Sequence, residues 1–341
     1  MERIPVNSRR SYVLASLLIL GCSFTISAAA QDSNNQGSQA NVSVDSTAYK
    51  LKTLGGKQFW TDKHHFGGWR IQENAVSNHF RLLDPSNRRH YSGSRDECLT
   101  RLNALKKSGD AKPSSGRVVI VLHGLIRTTD SMRHLGKYLQ DSGDFTAVDF
   151  EYASTRKPVA YHAAALAGVI ESLGDEVTEI NFVAHSMGNI VVRHYLADLK
   201  KAGKSENRFG RMVMIGPPNQ GSRMARIMRW SLLFNVVAGA AGYELGYGWD
   251  QLESKLATPN FDFGIIAGGQ PESSRISNFF LNGKDDFTVS VEETKLPGAV
   301  DFMIKPLLHA TMMRKPVTLE ATHRFLNHGY FVSESERNPI R

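Results

Sequence analysis

From residue 117 onward the chain alternates two hydrophobic patterns. Short continuous apolar runs read as buried strands: Val118 to Leu122, Phe145 to Phe150, Ile180 to Ala184, Arg211 to Ile215 and Phe263 to Ala267. Between them, Ser131 to Gln140, Val159 to Leu173 and Val191 to Lys200 carry helical spacing. A strand at Ala299 to Ile304 and a helix over Lys315 to Leu326 complete the series. Runs of about five apolar residues with no polar alternation need cover on both faces, as strands of parallel sheets do. The pattern therefore predicts an α/β chain with a mostly parallel central sheet and helices on both faces. In such sheets, sites form at the carboxyl ends of the strands.

Upstream the pattern differs. Trp69, Ile71, Phe80, Leu82 and Leu83 flank polar turns, which predicts one or two antiparallel strands leading into a helix near Asp96 to Lys107. Lys112-Pro113-Ser114-Ser115-Gly116 then breaks the chain. Gln31 to Ser46 is rich in Ser, Asn and Gln with few large apolar residues, the composition of a disordered tether. Before it, Arg3, Arg9 and Arg10 precede the apolar run Tyr12 to Gly21, and Ala28-Ala29-Ala30 supplies small residues for cleavage. That is the layout of a secretory signal peptide, so export to the periplasm or medium is expected. Ile19-Leu20-Gly21-Cys22 also resembles a lipoprotein box, with Cys22 as the alternative anchor, and Ser8-Arg9-Arg10-Ser11-Tyr12 weakly resembles a twin-arginine signal. The expected organisation is a signal at 1–30, a linker at 31–48, an N-terminal extension of strands plus helix at 49–112, and a principal domain at 113–335.

Cleavage after Ala30 leaves Cys98 as the one cysteine, so no intramolecular disulfide can form. The formal charge of +8 falls by two with the signal, which carries three Arg and Glu2. A mildly basic exported chain suits anionic surfaces such as lipid headgroups or polysaccharide. With no basic stripe interleaved with stacking aromatics, nucleic acid is not expected as a partner.

The chemistry centres on Ile180 to Arg193. An apolar strand run breaks at Ser186 and resumes with helical spacing, and Ala184 and Gly188 lie two residues to either side. That is the signature of a nucleophile elbow, where the residues flanking the serine approach so closely that only Gly or Ala fits. The following helix points its first N–H groups at the serine, where they can stabilise developing negative charge. A serine hydroxyl needs a base oriented by a carboxylate. In the chain order serine, acid, histidine, the acid belongs after the Phe263 to Ala267 strand, where Gly283-Lys284-Asp285-Asp286-Phe287 carries carboxylates. Asp286 is the expected acid and Asp285 its close rival. His309 follows the last strand and is the expected base; His323 and His328 read as surface or packing histidines. An oxyanion needs two N–H donors. Met187, next after the serine, supplies one, and Leu125 in His123-Gly124-Leu125 supplies the other.

Taken together, His123-Gly124-Leu125, Ala184-His185-Ser186-Met187-Gly188, Pro217-Pro218-Asn219-Gln220-Gly221-Ser222, the Asp286 to Val289 turn, His309 and Phe325-Leu326-Asn327-His328-Gly329-Tyr330-Phe331 resemble the α/β-hydrolase superfamily. The likeness is to small bacterial triacylglycerol lipases and PGAP1-like serine hydrolases, over about Arg117 to Phe331. It implies hydrolysis of lipid or other acyl esters through an acyl-enzyme, with no cofactor. Two departures stand out: the elbow begins with alanine, as in some of these lipases, and Phe287 follows Asp286 where many carry glycine.

Ser222 to Asn260 is where specificity should lie. Arg223, Arg226 and Arg229 precede the apolar stretch Trp230 to Gly242, which suits either a lid opening at a lipid surface or an ordinary cap helix. The stretch is too broken by glycine to read as transmembrane. His64-His65 reads as an exposed turn rather than a metal site, and Trp60 and Trp69 as core rather than a sugar platform. Three functions fit this sequence: a lipase or carboxylesterase; a phospholipase, GPI-type deacylase, thioesterase or amidase on the same residues; and a non-catalytic binding protein on a hydrolase scaffold.

Overall fold

A computed structural model describes residues 56–222, 232–269 and 289–341, with backbone alone over 232–237. The signal and tether, Arg223, Arg226 and Arg229, and both Asp285 and Asp286 lie outside the described residues. The described chain belongs to one compact unit, Ser46–Arg341.

Its centre is a six-stranded sheet of β5 (Gly116–Leu122), β6 (Thr146–Phe150), β7 (Val177–His185), β8 (Phe209–Ile215), β9 (Phe263–Gly268) and β10 (Asp301–Lys305). The order is β10-β9-β8-β7-β5-β6, and every adjacent pair runs parallel. Alternate residues of each strand feed different cores. Val118, Ile120, Leu122, Ile180, Phe182 and Ala184 pack with α3 (Val159–Ser172) and α4 (Met187–Lys201), whereas Val119, Val121 and Val183 pack with α2 (Arg133–Asp141) and α8 (Pro316–His328). Burial on both faces is why these strands read as unbroken apolar runs. Strand order reverses where β5 lies between β6 and β7, the point beside which sheets of this kind bind ligands at their carboxyl ends.

Between β8 and β9 the insertion contains α5 (Leu232–Gly246) and α6 (Trp249–Glu253). Gly239 sits at φ +63°, and any side chain there would collide with the Thr155 carbonyl, so this glycine lets the insertion lie against the chain leaving β6. Glu244 Oε2 accepts a 2.7 Å bond from Val159 N, adding an anion at the start of α3. Among the described residues no helix is long and apolar enough to cross a membrane. The last described helix before the end of the sheet, α7 (Val291–Thr294), begins with a reciprocal cap between Ser290 and Glu293.

The N-terminal segment is a full four-stranded antiparallel sheet, not one or two strands: β1 (Trp60–Phe66), β2 (Trp69–Asn74), β3 (Phe80–Leu83) and β4 (Arg89–Gly93). It leads into α1 (Arg95–Ser108), capped by the Ser94–Glu97 box at its start and by Gly109 at φ +82° at its end. Trp69, Ile71, Leu82, Cys98 and Leu102 form a third core between sheet and helix. Trp60 is also buried, as expected of a core aromatic. The pair His64-His65 does not form an exposed turn. Both belong to β1, and His65 is buried with its main-chain N–H bonded to Ser172 Oγ at 2.8 Å. The period-two signal fails there because β1 buries polar side chains, Thr61 and Asp62, against the body of the protein.

Buried histidines give the fold a pH dependence. Burial lowers His64 to about 4, His65 and His162 to about 3, and His185 well below its ordinary 6.5. The unfolded chain then binds more protons than the native one below pH 6.5, so stability is full above that value and falls as pH drops. Asp62 and Asp149, raised by burial, act in the opposite sense but are fewer. The melting temperature is expected to fall by several degrees from pH 7 to pH 5, as thermal melts followed by circular dichroism would register.

Candidate active site

Ser186 stands between the end of β7 and the first residue of α4, with φ +54° and ψ −123°. A non-glycine residue with positive φ is uncommon, and such strain clusters at functional sites. The geometry is enforced from both sides. Ser186 N donates to the Ile215 carbonyl at 2.9 Å, and its own carbonyl accepts from Asn189 N at 3.1 Å and Asn189 Nδ2 at 2.9 Å. A Cβ at position 188 would come within 2.8 Å of the His123 carbonyl oxygen and 2.9 Å of Leu122 Cβ, so α4 can leave the elbow beside β5 only with glycine there. Ala184 is fully buried opposite Leu122. The glycine of the elbow therefore has a steric reason visible in the fold, and the alanine is buried within the sheet.

His123-Gly124-Leu125 leaves β5 alongside the elbow. A Cβ on Gly124 would lie 3.0 Å from Ser186 Cβ and 3.5 Å from Ser186 Oγ, which places this backbone directly against the serine. Among the described residues no hydrogen bond engages the N–H of Leu125 or Met187. Two donors thus stand uncommitted, one from the loop beside the serine and one from the residue after it, the arrangement that binds a developing oxyanion. Gly242 of α5 packs near Leu125, whose Cδ2 would lie 3.6 Å from a Cβ at that glycine.

His309 lies beyond the carboxyl end of β10, buried, with its carbonyl 3.0 Å from His185 Nε2 and its ring 4.6 Å from the His185 ring. A carbonyl oxygen only accepts, so His185 donates from Nε2 and stays neutral, in keeping with its lowered pKa. The residue preceding the serine therefore anchors the histidine loop. Gly216, at φ +54° where β8 ends, makes room for it: a Cβ there would lie 3.1 Å from His309 Nδ1. Ser186 Oγ takes part in no hydrogen bond among the described residues. In unliganded enzymes such bonds are often long and tighten only around substrate.

The structure thus gathers Ser186, Leu125, Met187 and His309 at the carboxyl ends of β5, β7, β8 and β10. Asp285 and Asp286 follow β9 in the chain and lie outside the described residues. His323 is half-buried on α8, bonded to Asp144 at 2.6 Å, and His328 is exposed, both apart from Ser186 in their contacts. Among the described residues no group of three or more His, Cys, Asp or Glu is placed to hold a metal ion. A cleft of about 330 Å³ between the insertion and α3 and α4 is lined by residues including Pro158, His194, Tyr243 and Lys255, but not by Ser186.

Sequence reasoning missed two residues here. In the sequence His185 reads only as part of the elbow, although its position before the serine makes it a neighbour of any base. Glu151 draws no attention in the sequence because it lies upstream of the serine, outside the stretch where a carboxylate is expected. It is the first residue past the apolar run Phe145 to Phe150, and a carboxylate directly after a buried strand at the carboxyl edge was the available signal.

This sheet order, elbow and insertion are those of the α/β-hydrolase fold, and the chain has that fold. Residues 94–248 match the model of a domain of unknown function, DUF7379. Among solved structures, the propeptide form of the Bacillus licheniformis lipase BlEst2 is similar at 17% identity, over 65% of this chain and 53% of that one, with a TM-score of 0.50. The mature form of the same lipase is similar at 18% identity, over 63% of this chain and 94% of that one, at 0.48. The phospholipase PlaB from Legionella pneumophila is similar at 16% identity, over 61% of this chain and 57% of that one, also at 0.48. The match thus spans little more than half of the propeptide form and of PlaB. No curated protein sequence matches.

Proposed function

We propose that this chain is an exported serine hydrolase that cleaves carboxylic esters of lipid or other acyl substrates. The observation that carries the reading is Ser186 itself, held at φ +54° at the start of α4 with the N–H groups of Leu125 and Met187 uncommitted beside it. His309 takes the proton from Ser186 Oγ as that oxygen attacks the ester carbonyl, and Leu125 and Met187 N–H hold the oxyanion. The intermediate collapses, the carbonyl–alkoxy bond breaks, and the proton on His309 passes to the departing alcohol. Water, deprotonated by His309, then attacks the acyl carbon, the acyl–Ser186 bond breaks, the acid is released, and the proton on His309 returns to Ser186 Oγ. Asp286 orients His309 in this scheme, and no cofactor takes part. The insertion, with Arg223, Arg226 and Arg229 before its apolar stretch, serves as a lid that meets the lipid surface. Residues 1–30 direct export, with Cys22 as the alternative point of lipid attachment.

The naming of BlEst2, a protein of similar fold, as a lipase is in keeping with this reading. The test is hydrolysis of p-nitrophenyl esters from acetate to palmitate by the protein cleaved after Ala30, with and without detergent micelles. Turnover rising with acyl length and with micelles is the expected result, because a lid that opens at an interface exposes the acyl site there. Turnover of short esters indifferent to micelles would sink the lid while leaving the hydrolase. No turnover above a Ser186→Ala control, across esters, phospholipids, thioesters and amides, would contradict the whole reading.

A further inference from the structure

Glu151 is 1% exposed, and an acidic side chain so deep in a protein is costly unless it is fully engaged. Its carboxylate reaches both ends of the loop that carries Leu125. Oε2 accepts from Thr129 N at 3.2 Å and from Thr129 Oγ1 at 2.7 Å. Oε1 lies 3.3 Å from His123 Nε2, a close polar contact rather than an aligned hydrogen bond, and the same nitrogen accepts from Tyr152 N at 3.4 Å. His123 is fully buried, stacked on Tyr152 at 4.0 Å, with Nδ1 2.9 Å from the Gly124 carbonyl and its own carbonyl bonded by Tyr152 O–H. Burial pushes the Glu151 carboxyl up, but the His123 and Thr129 contacts outweigh it and leave it below its ordinary value, so the group is an anion.

The loop between these anchors needs them. Ile126 lies at φ +58° and is half exposed, a conformation that a β-branched side chain disfavours strongly. Among the described residues the N–H groups from Leu125 to Thr128 make no hydrogen bonds, so the loop is held from its ends and not from within. Strained backbone of this kind persists only when its surroundings over-determine it.

Glu151 is fixed in turn by the N-terminal sheet. Asp62 of β1 exchanges two bonds with its main chain: Asp62 N donates to the Glu151 carbonyl at 2.9 Å, and Glu151 N donates to Asp62 Oδ2 at 2.7 Å. Ala153 N donates to Thr61 Oγ1 at 3.1 Å. Asp62 is locked from behind by Gln72 Nε2 at 2.8 Å and faced by Arg70 at 3.6 Å. All four strands of that sheet precede residue 94, where the DUF7379 match begins.

We propose that Glu151 is a positioning residue for oxyanion stabilisation, and that the N-terminal sheet acts in catalysis by holding it through Asp62. The inference rests on Ser186 as nucleophile and Leu125 as oxyanion donor. It gives the extension a part in the chemistry, since Asp62 sets Glu151, Glu151 sets His123 and Thr129, and these set the Leu125 N–H.

The test compares the wild type with Glu151→Gln, Thr129→Val and Asp62→Asn on p-nitrophenyl butyrate. Loop exchange at 123–129 is followed by hydrogen–deuterium exchange, and Ser186 reactivity with a fluorophosphonate. Gln keeps an acceptor for Thr129 but removes the charge facing His123; Val keeps the shape of Thr129 and removes its hydroxyl leg. Loss of one oxyanion donor costs about a hundred- to a thousandfold, so a displaced donor should cost Glu151→Gln about 10- to 100-fold in kcat, with KM within about threefold. Thr129→Val and Asp62→Asn should lose less, and all three should exchange faster across the loop. Wild-type kcat and exchange in Glu151→Gln and Thr129→Val, from an active and labelled wild type, would overturn this inference alone. Activity loss explained by lowered melting temperature with unchanged loop exchange would overturn it too. A wild type that neither labels nor turns over would overturn the hydrolase reading and this inference together.

Discussion

Ser186→Ala is expected to lower kcat for ester hydrolysis by on the order of 10⁵- to 10⁶-fold while leaving the protein folded. No neighbour can take its place. His185 is buried, neutral and committed to the His309 carbonyl, and Met187 offers only its main chain. The hydroxyl makes no hydrogen bond among the described residues, so its removal leaves no buried partner unpaired. Alanine at φ +54° inherits the strain already present in serine, and the main-chain bonds to Ile215 and Asn189 remain. The melting temperature should therefore stay within a degree or two of wild type. On the proposed mechanism, what rate survives would come from the Leu125 and Met187 donors and substrate binding, which in serine hydrolases with a complete triad retain roughly 10³-fold over water.

His309→Ala should be nearly as severe, about 10⁴- to 10⁶-fold in kcat, because on the proposed mechanism Ser186 then lacks the group that removes its proton. The loss of the ring need not displace the loop. His185 holds position 309 through its carbonyl, which alanine keeps, so the loop remains anchored. The deleted ring leaves space beside Gly216, Met312 and His185, costing about 1–2 kcal/mol of stability, too little to unfold the chain. His323→Ala and His328→Ala serve as controls. Neither ring contacts the serine loops, and both variants should keep wild-type kcat in steady-state assays.

Much of this was legible in the sequence because each signal had one physical cause. β5 and β7 read as strands since burial on both faces leaves no room for polar alternation, and the elbow read clearly because Gly188 is forced small by Leu122 and His123. The last helix is longer than expected, Pro316–His328, because Gly329 in the left-handed region rather than Leu326 ends it. β1 was illegible for the opposite reason. Its Thr61, Asp62 and His65 are polar yet buried, engaged with Glu151, Ala153 and Ser172, and such partners lie more than a hundred positions away in the chain for His65. Pattern reading sees a polar run and infers solvent. Glu151 escaped on the same grounds: its worth depends on two loops that only the fold brings together.

The most direct test of the central claim is to treat the protein lacking residues 1–30 with a fluorophosphonate ester and locate the adduct by peptide mass spectrometry. A single stoichiometric adduct on Ser186, absent from the heat-denatured protein and from Ser186→Ala, is the expected result. A folded protein that takes up no label, or takes it up equally at other serines, would contradict the account.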